Sequence, residues 1–142
     1  MGLRCMIVDD NRDYLQAACK VLAQGGITVV GVASSSAEAL RHVEEADPDV
    51  VLVDIVLGSE SGFDLARRLA TAGSIRASVI MISTHGEEDF ADLIEASPAI
   101  GFLPKWNLSA SAINDLLSRR EAEKNRGQGP RSPTGGGGAQ TL

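Results

Sequence analysis

The sequence lacks the features that would point to a membrane protein or a disulfide-rich protein. It has only two cysteines, Cys5 and Cys19, which form neither a CxxC pair nor a disulfide framework. Each lies within an apolar pattern, so both are expected to be small buried thiols. No apolar run approaches the ~20 residues of a membrane span, and Arg4 interrupts an N-terminal apolar stretch that is too short for a signal peptide. We therefore expect a cytoplasmic protein with no membrane partner.

Positively charged residues are in the minority. The chain has 13 Lys and Arg against 19 Asp and Glu, a formal net charge of −6. Contacts with the phosphates of nucleic acids need clustered Lys and Arg, so no direct binding of nucleic acid is expected. Four basic residues near the C-terminus are interleaved with Glu121 and Glu123, as on a solvated helix end: Arg119, Arg120, Lys124 and Arg126.

Short apolar runs alternate with helical patterns along the chain, whose 142 residues fit one domain. Apolar runs of strand length lie at residues 5–8, 27–33, 50–53, 79–82 and 100–103, and helical spacing follows at 13–24, 36–46, 63–72, 87–96 and from 109. The run at 50–53 is apolar throughout, as in a strand buried on both faces. The repeated pattern predicts an α/β fold: a doubly wound, flavodoxin-like, five-stranded parallel sheet of order 2-1-3-4-5 with helices on both faces.

The composition changes after about Glu121. Residues 127–142 are rich in Gly, Pro, Ser and Thr and contain almost no apolar residues, so they have too little apolar surface to bury in a core. We predict one domain over residues 1–121 and a disordered tail over residues 122–142. Because no output domain is recognisable, a stand-alone domain is expected.

Chemically active residue types follow several of the predicted strands. In open parallel sheets, ligands bind beyond the carboxyl ends of the strands, where the strand order reverses. The first strand is followed by Asp9 and Asp10, the third by Asp54, the fourth by Ser83 and the fifth by Lys105. These side chains are therefore expected at one edge of the sheet.

Three neighbouring carboxylates must either take up protons or share a cation. Oxygen ligands without His or Cys suggest a hard ion, Mg²⁺ or Mn²⁺. Asp54 could then accept a phosphoryl group, with Lys105 neutralising its charge and the Ser83 hydroxyl donating a hydrogen bond to it. Each residue also has an ordinary alternative: a helix cap for the Asp-Asp-Asn at 9–11, a solvated turn for Asp54, and an exposed surface position for Lys105. Their joint placement favours a shared site.

These motifs resemble the receiver domain of bacterial two-component response regulators over about residues 3–120. The similar segments are Met-Ile-Val-Asp-Asp-Asn at 6–11, Val-Val-Leu-Val-Asp at 50–54 with Gly62 eight residues on, Val-Ile-Met-Ile-Ser at 79–83 and Gly-Phe-Leu-Pro-Lys at 101–105. The resemblance implies that a sensor histidine kinase or a histidine phosphotransfer protein phosphorylates Asp54. It also implies self-catalysed phosphotransfer and autodephosphorylation, with no independent enzymatic activity. The implied metal ligands are Asp9, Asp10, Asp54 and the backbone carbonyl of Val56.

The resemblance further implies a phosphorylation-dependent switch. Phosphorylation would draw Ser83 toward the phosphate and rotate Phe102 inward, which remodels the face formed by helix 4, strand 5 and helix 5. A downstream protein would dock on that face, and the chain would be a monomer or a weak phosphorylation-dependent dimer.

The sequence also departs from the family pattern. Leu57-Gly58 replaces a usual Met-Pro pair, which predicts a more mobile loop. Thr84 stands where Ala or Gly is common, which leaves a choice between Ser83 and Thr84 as the switch hydroxyl, and Trp106 stands where proline is frequent.

Three other functions remain open from the sequence. One is a phosphatase with an aspartate nucleophile, although such enzymes place a second Asp two residues after the nucleophile and this chain has Asn11 and Arg12 there. Another is a flavin or nucleotide binder, although its first loop should be rich in Gly, Ser or Thr rather than acidic. The third is a degenerate receiver that only binds protein.

Overall fold

The computed structural model describes residues 2–72 and 76–128, and it has the predicted doubly wound architecture. The strands are β1 (Arg4–Val8), β2 (Thr28–Ala33), β3 (Val50–Asp54), β4 (Val56–Leu57), β5 (Glu60–Ser61), β6 (Ser78–Ser83) and β7 (Gly101–Pro104). The helices are α1 (Arg12–Gln24), α2 (Ser36–Ala46), α3 (Gly62–Thr71), α4 (Ala91–Ala96) and α5 (Ala110–Gln128), with 3₁₀ turns at Glu87–Asp89 and Lys105–Asn107. Five parallel strands form the main sheet in the order β2-β1-β3-β6-β7. This confirms the predicted order 2-1-3-4-5.

The helices cover both faces of this sheet, because successive side chains of the buried strands point to opposite faces. In β3, Val51 and Val53 pack into a core with α2, α3 and α4, whereas Val50 and Leu52 pack into a second core with α1 and α5. All four side chains are fully buried. A strand that is apolar throughout is therefore what a sheet between two helical layers requires.

A two-residue-per-strand antiparallel hairpin, β4–β5, directly follows β3 where the sequence predicted a mobile loop. Gly58 has φ +59° at its turn, a conformation that glycine adopts without steric cost. Leu57 is only 2% exposed, and Glu60 Oε1 accepts a hydrogen bond of 3.0 Å from the Ser36 backbone N–H at the start of α2. The hairpin is thus anchored to the body of the domain on two sides.

Two helices differ from the predicted ones. The helix predicted at 87–96 is interrupted at Phe90, which has φ −128° and separates the 3₁₀ turn from α4. The Phe90 ring packs 6.5 Å from the Phe63 ring, between centroids, so tertiary packing overrides the helical pattern. The helix α5 continues to Gln128, into the segment predicted as a tail. Strong helix formers such as Arg, Glu, Ala and Lys extend a helix without apolar periodicity. The rest of the predicted tail, residues 129–142, lies outside the described residues.

None of the helices in the described part of the chain combines the length and the apolar character that crossing a membrane would need.

Candidate functional site

The carboxyl ends of four neighbouring strands bring the predicted polar residues to one edge of the sheet. Asp9 follows β1, Asp54 ends β3, Ser83 ends β6 and Lys105 follows β7. The register places Asp54 opposite Ile82 and Ser83 opposite Pro104. Side chains that are scattered over about a hundred positions in sequence thus become neighbours because parallel strands end at a common edge.

Asp9, Asp10 and Asp54 form a compact carboxylate cluster. One carboxylate oxygen from each lies within 4.8 Å of those of the other two. Asp9 is fully buried and Asp54 is 6% exposed, whereas Asp10 is exposed. A cluster with two buried members and one open side has the form of a site for a hard divalent cation, which binds through carboxylate oxygens and water.

Lys105 lies between the two buried carboxylates. Its Nζ is 2.5 Å from Asp9 Oδ2 and 2.9 Å from Asp54 Oδ2, and its side chain is only 10% exposed. The contact with Asp54 has hydrogen-bond geometry. The contact with Asp9 is an ion pair that lacks hydrogen-bond geometry. Asp9 Oδ2 is therefore buried next to an ammonium group but accepts no hydrogen bond. A divalent cation at the open side of the cluster can share this oxygen with Lys105 or take it over, because Asp9 Oδ2 has no hydrogen bond to give up.

The second oxygens of both carboxylates are held by backbone amides. Asp9 Oδ1 accepts a hydrogen bond of 2.9 Å from the Asn11 N–H, and Asp54 Oδ1 accepts one of 3.1 Å from the Val56 N–H. Asn11, rather than an aspartate, is the N-cap of α1, since its side chain accepts from the Tyr14 N–H. Because Asn11 caps α1, neither the Asp9 nor the Asp10 carboxylate serves as the cap of this helix.

The electrostatics of the pocket follow from burial and mutual repulsion. Burial raises the pKa of Asp54, and the charge of Asp9 adds to this, while the Lys105 ammonium and the Val56 N–H act in the opposite direction. Burial alone would lower the pKa of Lys105, but the contacts with Asp9 and Asp54 outweigh it and raise that pKa. Lys105 is therefore held as a cation, and Asp54 is a carboxylate whose charge needs partners.

The two candidate switch hydroxyls differ in exposure. Ser83 is 2% exposed and its Oγ accepts a hydrogen bond of 3.0 Å from the His85 N–H, whereas Thr84 is exposed. Phe102, the predicted switch aromatic, is 6% exposed and packs in the core shared with α2, α3 and α4. Its side chain is thus buried in this structure, and its rotation on phosphorylation stays a prediction.

Sequence reasoning missed two residues that shape the site. Tyr14 donates a hydrogen bond of 3.2 Å from its hydroxyl to the Lys105 carbonyl, and its ring centroid lies 4.7 Å from Lys105 Nζ. The sequence feature that could have identified Tyr14 is its position three residues after the N-cap Asn11, at the end of α1 that faces the site. Gly62 was noticed only as a family match, but a Cβ there would lie 2.0 Å from the Asp54 carbonyl oxygen. The chain can pass behind Asp54 only because this residue has no side chain.

Comparison with known proteins points to one family. Residues 5–116 match the family model described as the response regulator receiver domain. The chain is 34% identical to a protein-glutamate methylesterase/protein-glutamine glutaminase of Myxococcus xanthus, over 61% of this chain and 25% of that protein. It is 25% identical to the transcriptional regulatory protein LiaR of Bacillus subtilis, over 85% of this chain and 57% of that protein. It thus spans between a quarter and somewhat more than half of these relatives.

The fold comparison agrees with the sequence comparison. The signal receiver domain of a modulated diguanylate cyclase from Desulfovibrio desulfuricans G20 superposes with a TM-score of 0.71 at 25% identity, covering 89% of this chain and 99% of that one. The acidic cluster, the sheet order and the matched span therefore lead to the same family.

Proposed function

Because the chain belongs to the response regulator receiver domain family, we propose that Asp54 accepts a phosphoryl group in a reaction that requires a divalent cation, Mg²⁺ or Mn²⁺. The observation that carries this proposal is the contact of a buried Asp54 with Lys105 inside a carboxylate cluster of metal-binding dimensions. The donor would be a sensor histidine kinase or a histidine phosphotransfer protein.

The chemistry is a phosphoryl transfer from nitrogen to oxygen. A carboxylate oxygen of Asp54 forms the new P–O bond, the P–N bond of the phosphohistidine breaks, and the released imidazole nitrogen takes up a proton. Asp54 Oδ1 is occupied by the Val56 N–H, and Oδ2 faces Lys105. The Lys105 ammonium is therefore placed to neutralise negative charge on the oxygens of the transferring group.

The cation would be held by the carboxylates of Asp9, Asp10 and Asp54, with the backbone carbonyl of Val56 as a fourth ligand. It would supply positive charge that draws the phosphoryl oxygens toward Asp54. The buried Asp9 Oδ2, which has an ion pair with Lys105 but no hydrogen bond, and the open side at Asp10 both fit this role. The ion would replace Lys105 as the main partner of Asp9, because Lys105 is already shared with Asp54.

Intact-mass spectrometry with acetyl phosphate and Mg²⁺ tests this proposal. We expect one added phosphoryl group in the wild-type chain, none in Asp54→Asn, and none in wild type after chelation of the metal. Asp64→Asn is the matched control, because Asp64 is an exposed aspartate on α3 that pairs with Arg67. An equal mass increase in Asp54→Asn would refute Asp54 as the acceptor.

A turnover assay separates a receiver from the competing phosphatase function. A receiver hydrolyses only its own acyl phosphate, so p-nitrophenyl phosphate should not be turned over repeatedly. The residues two positions beyond Asp9 and Asp10 also support a receiver, because neither is the second Asp that such a phosphatase needs. Asn11 is instead the N-cap of α1, and Arg12 is its first residue. Sustained release of p-nitrophenol that disappears in Asp9→Asn would favour the enzyme.

We further propose that Ser83 is the switch hydroxyl and that α4, β7 and α5 form the docking face for a downstream protein. Ser83 is buried at the strand end next to Asp54, whereas Thr84 is exposed. Trp106, which directly follows Lys105, is 70% exposed and can report on the change by its emission. Ser83→Ala should keep the added mass but lose the emission change, whereas Thr84→Ala should keep both; the reverse pattern would assign the switch to Thr84.

A further inference from the structure

Tyr14 contacts Lys105 at both ends of the lysine. The phenol hydroxyl donates to the Lys105 backbone carbonyl at 3.2 Å, and the ring centroid lies 4.7 Å from Nζ. A cation within about 6 Å of an aromatic centroid is attracted by the ring's negative face. Tyr14 therefore contacts the backbone of Lys105 through its hydroxyl and the ammonium of Lys105 through its ring.

The position of Tyr14 is itself fixed by the carboxylate cluster. The Tyr14 N–H donates to the side chain of Asn11 at 3.1 Å, and the Asn11 N–H donates to Asp9 Oδ1 at 2.9 Å. Asp9 in turn pairs with Lys105. These contacts form a closed ring of four residues, so the start of α1 and the lysine after β7 are oriented relative to each other.

The lysine needs such support because its other partners are those that a cation would take. An ammonium on a four-carbon stem has many rotamers and is an easily moved point charge. In this structure it is held by Asp9 and Asp54. A divalent cation bound at the same carboxylates repels it, whereas the neutral Tyr14 ring does not compete for that cation. The aromatic contact is thus a restraint on the ammonium that loading of the site does not weaken.

We infer that Tyr14 is a positioning residue that keeps the Lys105 ammonium directed at Asp54 when a cation occupies the carboxylate cluster. The consequence for phosphorylation rests on the proposed function of Asp54, but the contact itself does not. Tyr14 would act only through Lys105 and would touch neither the phosphoryl group nor the cation.

The contact can be measured without any phosphorylation. In ¹³C-resolved NMR spectra, a ring facing Nζ shifts the Lys105 ε-methylene protons upfield. Tyr14→Leu should remove that shift with and without Mg²⁺, and Tyr14→Phe, which retains the ring, should keep most of it. Lys20, exposed on the same helix, is the internal control and should not change. A Lys105 signal that is the same in wild type and Tyr14→Leu would overturn the inference.

A kinetic double-mutant cycle tests the consequence. With acetyl phosphate and Mg²⁺, Tyr14→Leu should slow phosphorylation of Asp54 about 3- to 30-fold, the range expected for loss of a partly desolvated cation–π contact. Tyr14→Phe should slow it less than Tyr14→Leu does, by about fivefold or less, since it keeps the ring and loses one neutral hydrogen bond. In a Lys105→Met background, Tyr14→Leu should have an effect of no more than about twofold, because the residue it acts through is gone.

The outcomes distinguish this inference from the proposed function. Equal slowing by Tyr14→Leu in both backgrounds would mean that Tyr14 only maintains structure, and no slowing in either would mean that it does not position Lys105. If the wild-type chain gains no phosphoryl group at all, the proposed function fails, while the Lys105 methylene shift still decides whether Tyr14 holds the lysine.

Discussion

Replacing Gly62 with alanine places a methyl group where the backbone of the acceptor strand already lies. An ideal Cβ at this position would be 2.0 Å from the Asp54 carbonyl oxygen, 2.9 Å from its carbonyl carbon and 3.0 Å from Ile55 Cα. Carbon and oxygen atoms in contact are normally about 3.3 Å apart or more. Since all three neighbours are backbone atoms, relief requires α3 and β3 to separate by roughly an ångström.

The cost follows from what that separation disrupts. Overpacking of a close-packed interior costs about 1–3 kcal/mol and sometimes more. The Gly62 N–H bond to the Ile55 carbonyl, now 2.8 Å, would lengthen or break at about 1 kcal/mol. Alanine returns at most about 1 kcal/mol through its better helix propensity. We therefore expect Gly62→Ala to lower the free energy of unfolding by about 1–4 kcal/mol, a substantial part of the roughly 5–15 kcal/mol of a typical domain.

Urea unfolding measures this loss, and Gly31→Ala provides the matched control. A Cβ at Gly31 would meet Ala46 Cβ at 3.8 Å and Met6 Cγ at 3.9 Å, which is ordinary contact. With a denaturant dependence of about 2 kcal/mol/M, Gly62→Ala should lower the urea midpoint by about 0.5–2 M, whereas Gly31→Ala should change it little. Similar midpoints for the two variants would refute the reasoning. Gly62→Ala should also slow phosphorylation, because the strain is applied to the backbone of Asp54.

Three further predictions concern charge and exposure. Because burial raises the pKa of Asp54, the folded chain binds a proton on Asp54 more tightly than the unfolded chain does. The resulting stabilisation is present at acid pH and is lost as the pH rises through the raised pKa. Asp54→Asn should therefore raise the urea midpoint at pH 7 more than near pH 4, and a larger effect at the lower pH would contradict this. Lys105→Met removes a positive charge that competes with Mg²⁺ for Asp9, so calorimetric titration should show roughly tenfold tighter Mg²⁺ binding. The same change should slow phosphorylation by acetyl phosphate about 100-fold. Weaker Mg²⁺ binding in Lys105→Met would contradict this competition. Burial raises the pKa of Cys5 to about 12 and also raises that of the half-buried Cys19. Iodoacetamide at pH 8 should therefore modify Cys19 first and Cys5 only after unfolding, as mass spectrometry of the labelled peptides would show.

The strand order and both cores could be predicted because they depend on patterns that the chain repeats. The alternation in β3 is an example: Val51 and Val53 face one core, and Val50 and Leu52 face the other. The same period-two rule applies to every buried strand, so the two helical layers follow from it. The interruption at Phe90 could not be predicted, because it results from ring packing against a residue of α3 that is distant in sequence.

The residue types of the site could also be predicted, but not their pairings. Strand ends place Asp9, Asp54 and Lys105 at one edge, yet the sequence does not show that a single ammonium contacts both carboxylates. It also does not show that Asn11 takes the capping role or that Tyr14 covers the lysine. Those contacts depend on side-chain reach across strands, which local patterns do not encode.

The charges of the pocket suggest why a cation and a switch hydroxyl would both be needed. Three ionised carboxylates and the Lys105 ammonium leave two negative charges, which one divalent cation neutralises. An acyl phosphate on Asp54 would replace a single negative charge by about two. The pocket with cation and phosphoryl group bound would then be negative again, and the phosphoryl oxygens would need a further hydrogen-bond donor. The buried Ser83 hydroxyl at the adjacent strand end is an uncharged group that can supply one. Its present link to the His85 N–H uses Oγ only as an acceptor, which leaves the hydroxyl proton available. Movement of Ser83 toward Asp54 would thus stabilise the excess negative charge by a hydrogen bond. It would not require a second buried cation, which would have to be desolvated.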